Sequence, residues 1–580
     1  MTTSQPELVI RNGLVVDGTG AKPFKADVAI AGGKITAVGE VSAGGREEID
    51  ATGRLVTPGF VDIHTHYDGQ AVWDDHLAPS AWHGVTSVVM GNCGVGFAPC
   101  KPADREKLVL LMEGVEDIPH PVMHEGLTWQ WESFGEYLTA LKSRRRDIDV
   151  ACLLPHAALR VYVMGDRAIR HEAATGDDIA RMRRLTAEAV QAGAFGVSTS
   201  RTLSHKTLAG ELTPTLKANE DELIGICLGM TDAGSGFLEI VSDWKDPDPE
   251  TEFAMLRRVV EACGRPAVFS LAQRHERPDD WKILMREADR AIADGLSIRP
   301  VFPPRPIGLL LGLEGSQNPF SGTPSYKSIA HLPLPERVAQ MRDPAFRAQL
   351  LSEDPIAGST FPLIERLSYK HMFRFGNPPN YLPKPEDSIT AMAEREGRTA
   401  PEVAYDVLVE DEGRGFIYSP LNNYAAFDTS VPEALLANPN CIMGLGDGGA
   451  HVGFILDAGF PTWLMTYWQR ERQRFPVEEI IRRLTSDTAT AAGLDDRGVI
   501  KAGKKADLNI IDYDKLKFGK PYVTYDLPAG GKRLLQNAEG YDLTIVSGVV
   551  TYRGGKATGA LPGVVIEGQR TEAQLLSAAE

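Results

Sequence analysis

Two histidines separated by one residue close the apolar run LVTPGFVDIHTHYDG, residues 55–69. Side chains two positions apart on a strand share a face, so His64 and His66 can point at one centre. Imidazole nitrogens are good ligands for zinc and related transition metals. Cys93, in SVVMGNCGVG, is a third candidate ligand, because a nearby metal favours its thiolate. Gly91, Gly94 and Gly96 around it permit close approach and unusual backbone angles. Asp447, in NCIMGLGDGGAHVG, follows a late apolar run and can both ligate a metal and take a proton from water. A metal lowers the pKa of water, so this set fits hydrolysis better than redox chemistry. The expected metal residues are His64, His66, Cys93 and Asp447, with Asp447 also the expected catalytic base.

Further residues stand where they could meet a substrate. His156 lies in LLPHAALRVYVMGD, and Arg201, His205 and Lys206 lie in STSRTLSHKTLAG. Any of the latter three could hold a carboxylate, and a carboxylated Lys206 could bridge two metals. His451, four residues after Asp447, could orient substrate or that carboxylate. The glycine-rich KTLAGELTP, GLEGSQNP and GLGDGGAHVG lack the lysine and spacing of a phosphate-binding loop. Cysteines at 93, 100, 152, 227, 263 and 441 are too sparse for a disulfide framework, and none forms a CxxC pair.

Eight apolar runs can carry these residues: VTPGFVDIH, VTSVVMGN, DVACLLPH, AFGVSTS, FLEIVSD, PAVFSLA, LSIRPVF and NCIMGLGD. Amphipathic segments such as GDDIARMRRLTAEAVQAG and TEFAMLRRVVEACG separate several of them, the latter a helix expected to stop at Gly264. The strand–helix alternation predicts an α/β fold, a TIM-like (β/α)8 barrel. GRGFIY, 414–419, is a ninth strand candidate. Short Val- and Ile-rich runs with Gly turns occur at both ends, in ELVIRNGLVVDGTG and in YDLTIVSGVVTYRGG, and predict a small accessory β-sandwich domain built from both. The expected boundaries are 1–56 and 491–570 for that domain, 57–490 for the barrel, and 571–580 for a tail. Residues 302–382, rich in Pro, Gly and aromatics, read as an insertion that could act as a lid.

The chain has 580 residues, with 61 Lys plus Arg against 78 Asp plus Glu, a formal net charge of -17. That balance argues against a nucleic-acid surface, which ordinarily needs a basic patch. The opening MTTSQPELVIRNG has no leader pattern, and no run reaches the roughly 18 apolar residues of a membrane helix. A cytoplasmic enzyme with a small-molecule substrate and no membrane partner is expected; homo-oligomerisation would suit such a barrel.

GFVDIHTHYD, GNCGVG, LLPHAALRVYVMG, GAFGVSTS and GLGDGGAH together resemble the amidohydrolase superfamily, above all its N-acyl-D-amino-acid deacylase (D-aminoacylase) branch. RGVIKAGKKADLNIID resembles the return of the chain into the accessory sheet. The resemblance implies a zinc-dependent hydrolase of non-peptide C–N bonds holding one or two Zn2+ ions. It matches His64 and His66 to the first metal pair, Cys93 to the cysteine ligand and Asp447 to the catalytic aspartate. One departure stands out. Two further histidine ligands of the branch have no counterpart: the matching segments offer Phe269, Ser270 and Leu271, then Arg299 and Pro300. The metal site is thus expected to be altered. Beside deacylation of an N-acyl-D-amino acid stand hydrolysis of a cyclic or aromatic amide, suggested also by FRFGNPPNY, and an inactive metabolite-binding barrel.

Overall fold

The computed structural model describes residues 5–568 except 246, 357–358, 360–362 and 364–365, so the expected tail, 571–580, lies outside the described residues. At its centre are eight strands in parallel: β1 Phe60–Asp62, β2 Val85–Met90, β3 Asp149–Cys152 continuing as Leu154–Pro155, β4 Gly196–Arg201, β5 Phe237–Ser242, β6 Ala267–Ser270, β7 Ile298–Phe302 and β8 Ile442–Met443. Their residues are almost all buried, as a sheet covered on both faces requires. Just beyond β1 and β8 the ring is closed by the Asp447 N–H donating to the His64 carbonyl at 3.1 Å and the His66 N–H donating to the Gly448 carbonyl at 2.8 Å.

Two of the helices between strands show local reasons to start and stop. The segment 176–193 forms a helix, Gly176–Ala192, with a Thr175–Asp178 capping box and Gly193 at its end. Pro249–Cys263 begins on the Asp248 side chain, which accepts the Thr251 N–H, and stops where Gly264 turns left-handed at φ 64°, as its sequence predicts. Helix α1, Arg105–Glu116, runs from the β2 loop and ends at Asp117, itself left-handed. Its last residue reaches the barrel mouth.

Both chain ends share one nine-stranded mixed sheet, in which Leu55–Pro58 pairs antiparallel with Leu508–Ile511 and parallel with Leu8–Val15. The predicted strand VTPGFVDIH is therefore two strands in two sheets. Gly59 divides them, since a Cβ there would meet the Thr86 side chain at 2.2 Å.

GRGFIY is not a ninth barrel strand. Phe416–Asn422 pairs antiparallel with Ile307–Gly312 and Phe373–Arg374, so the insertion extends well past residue 382. An apolar run reads the same in either setting; here Ile417 and Leu421 join Leu309, Leu311, Met341 and Leu408 in a core separate from the barrel's, while Phe416 and Tyr418 belong to the barrel's own. The aromatic segment 373–381 is spent on packing: Tyr381 lies 4.1 Å from the buried Arg305 guanidinium and donates to Gln536 Oε1 at 2.8 Å. Among the described residues, no helix is long and apolar enough to cross a membrane.

Candidate metal centre

The turns after β1, β2 and β8 place four of the predicted side chains together. Asn92 fastens the first two turns, donating to the Thr65 carbonyl at 3.1 Å and the Val89 carbonyl at 2.9 Å. Cys93 and Asp447 both sit in the left-handed region, at φ 54° and 49°. Such backbone is sparsely populated by non-glycine residues and recurs at functional sites. Gly91 and Gly94 make the approach feasible: at Gly91 a Cβ would lie 2.4 Å from the Leu153 carbonyl oxygen.

His64, His66 and Cys93 form the one potential metal-holding cluster of three among the described residues, with donor atoms all within 4.8 Å of one another. Cys93 Sγ is 3.3 Å from His64 Nε2, and Asp447 Oδ1 is 3.6 Å from His64 Nε2 and 3.7 Å from His66 Nε2. Donors bound tetrahedrally at about 2.0–2.3 Å from a zinc ion stand roughly 3.3–3.7 Å apart, so this spacing fits the ion.

The electrostatics fit it as well. Burial keeps the His64 imidazole neutral, its pKa pushed down to about 3 with help from His205 and His451, and moves His66 the same way. Neutral imidazole is the ligating form. Burial drives the Cys93 thiol, Asp447 and Glu116 well above their usual ranges, and Glu239 up to about 8. Acidic groups so crowded and desolvated favour their charged forms once a dication stands among them.

Not every predicted substrate residue faces this centre. His156 is fully buried with both ring nitrogens engaged, by Thr199 Oγ1 at 2.9 Å and Glu222 Oε1 at 3.1 Å. Glu222 also takes Arg160, so His156 belongs to a barrel-wall network and is closed to substrate. Arg201 is likewise committed, to Glu252 Oε1 at 3.1 Å and the Ala218 carbonyl at 2.8 Å. His205 Nδ1 meets Ser200 Oγ at 2.8 Å, and burial lowers the pKa of this ring to about 4. Lys206 is partly exposed in the same loop, its backbone bridged to Leu212. His451, left-handed at φ 48°, has its Nε2 3.7 Å from Glu116 Oε2.

The strands expected to lack histidines lack other donors too. Phe269 packs against Trp244 and Phe253, Leu271 is buried, and Arg299 turns outward to the carbonyls of Pro439 and Asn440. Two carboxylates that carry no motif, Glu116 and Glu239, stand at the centre instead. A lone charge inside the apolar run FLEIVS was the sequence sign of Glu239; Glu116 had none beyond ending a helix.

A family model described as "Amidohydrolase family" matches residues 47–552. The chain belongs to the amidohydrolase family. It is 27% identical over 524 residues to a D-aminoacylase of Alcaligenes xylosoxydans xylosoxydans, covering 88% of this chain and 89% of that one. With an N-acyl-D-glutamate deacylase of the same organism it shares 28% over 546 residues, covering 92% of each. Its fold matches an N-acyl-D-glutamate deacylase from Bordetella bronchiseptica, with TM-score 0.65 and 21% identity over 97% of this chain and 100% of that one. This is a metal-dependent amidohydrolase of non-peptide C–N bonds, of the D-aminoacylase branch, with a three-donor cluster where the site is altered.

Proposed function

We propose that the chain removes the acyl group from an N-acyl-D-amino acid or a related small acylated amine, using a zinc ion. The observation that carries this reading is the close set of His64, His66, Cys93 and Asp447. The relatives support the substrate class by their names, and the Bordetella protein was solved with zinc and a phosphonate mimic of the tetrahedral intermediate.

His64, His66 and Cys93 would hold the ion, with Asp447 beside it and a position left for water. When bound, the ion supplies Lewis-acid polarisation of the amide carbonyl and makes water acidic enough to attack. Asp447 takes the proton from the attacking water and returns it to the leaving nitrogen, so the C–N bond breaks to release a carboxylate and an amine. Burial suits Asp447 to this exchange, since it raises proton affinity. In this reading His205 and His451 contact the acylamino acid, and Lys206 is the cation that meets its carboxylate. The test is turnover of paired N-acyl-D- and N-acyl-L-amino acids by zinc-loaded protein, followed by amine release. Selective hydrolysis of the D series is expected; turnover confined to cyclic amides, or none, would overturn the assignment.

A further inference from the structure

The two ligand histidines each have one ring nitrogen facing the donor cluster and one facing a buried carboxylate. His64 turns Nε2 to Cys93 Sγ and Asp447, and Nδ1 to Glu239 Oε1 at 3.8 Å. His66 turns Nε2 to Asp447 and Nδ1 to Glu116 Oε1 at 3.2 Å. The two carboxylates come from unrelated elements, β5 and the end of α1. Both are at least 98% buried, and Glu239 Oε1, Glu116 Oε2 and His66 Nδ1 make no hydrogen bond.

Neither glutamate belongs to the cluster itself, which holds only His64, His66 and Cys93. Each instead stands between a ligand and a second group. Glu239 Oε2 accepts the Cys93 backbone N–H at 2.9 Å, so one carboxylate addresses both His64 and the strained turn that presents the thiol. Glu116 faces His66 with one oxygen and His451 with the other, while its backbone carbonyl accepts the His451 N–H.

A neutral imidazole carries one proton. If it rests on Nδ1, the Nε2 lone pair is free for a metal; if on Nε2, the ring is turned the wrong way round. A carboxylate at Nδ1 stabilises the first tautomer, fixes the ring and raises ligand basicity. We propose that Glu116 and Glu239 are positioning residues that hold the Nδ1–H tautomers of His66 and His64, so that both rings present Nε2 to one ion. This rests on the metal reading above. It gives the shortened donor set a source of affinity other than further ligands.

The test uses full-length E116L and E239L beside the parent, with zinc affinity measured by competition against a chromogenic chelator. Each variant should bind roughly 10–100-fold more weakly, while a cooperative melting transition of the zinc-free protein shows that it still folds. Affinities equal to the parent's would overturn the proposal. Should a variant not fold, nitrogen-15 histidine spectra of the zinc-loaded parent decide: protons on both Nδ1 atoms with Nε2 bound support it, and Nδ1 ligation overturns it. A parent that binds no zinc would overturn this and the functional reading together. Tight zinc binding without amide turnover would overturn only the latter.

Discussion

Asp447 concentrates the chemistry of this chain: desolvated, held left-handed, and within 3.7 Å of both ligand histidines. Replacing it with Asn keeps the shape and removes the proton acceptor. D447N should lose about 10^2–10^4-fold in kcat while still taking up zinc through His64, His66 and Cys93. Steady-state kinetics beside metal analysis check this, and unchanged kcat would remove Asp447 from the reaction. At this scale the sequence was informative where residue types recur at telling spacings. HTH after an apolar run, a cysteine among glycines and an aspartate after the last strand were all visible. Pairing across the chain was not. His156 looked available until Glu222, 66 residues away, filled its second nitrogen, and Glu116 reaches the mouth only because α1 stops at residue 116.

At the scale of elements, the turn after β2 sets the thiol. Gly91 is left-handed at φ 83° and has the Leu153 carbonyl where a side chain would begin. G91A should cost about 2 kcal/mol or more, read as a lowered melting temperature in the zinc-free protein. His83, in the short 3-10 turn Ser80–His83 before β2, donates from Nε2 to the Gln536 carbonyl at 3.1 Å and meets Thr462 Oγ1 through Nδ1 at 2.8 Å. Burial lowers its pKa from 6.5 to about 4. The unfolded chain therefore binds a proton that the native ring refuses between those values. Stability from this group is complete above pH 6.5 and is lost as pH falls toward 4, by up to about 1.4 kcal/mol per unit. H83N should flatten that part of the stability–pH curve, measured by denaturant titration; an unchanged slope would contradict the assignment. The eight barrel strands were legible because each is a buried apolar run. The split at Gly59 and the antiparallel place of Phe416–Asn422 were not, since neither a sheet boundary nor strand direction leaves a periodicity.

For the molecule as a whole, the barrel and the terminal sheet share a buried ionic joint. Asp149, fully buried at the start of β3, receives both Arg497 Nη1 and Lys505 Nζ, and Arg497 also donates to Ser87 Oγ on β2 at 2.7 Å. The chain supplies these cations on its way back from the barrel to the accessory sheet. Without Arg497, Lys505 alone would face two buried carboxylates, Asp149 and Asp507, so R497M should lose about 3–5 kcal/mol by equilibrium unfolding. The closing of the sheet by both ends was legible from matching Val- and Ile-rich texture; the joint was not, because its charges look like ordinary surface residues in sequence.

The chemistry of this chain depends on one functional ion bound by His64, His66 and Cys93 beside Asp447. Anomalous diffraction from crystals of the zinc-loaded protein, collected across the zinc absorption edge, tests it most directly. A peak is expected within bonding distance of His64 Nε2, His66 Nε2 and Cys93 Sγ, beside Asp447. No peak there, or one held by other residues, would contradict it.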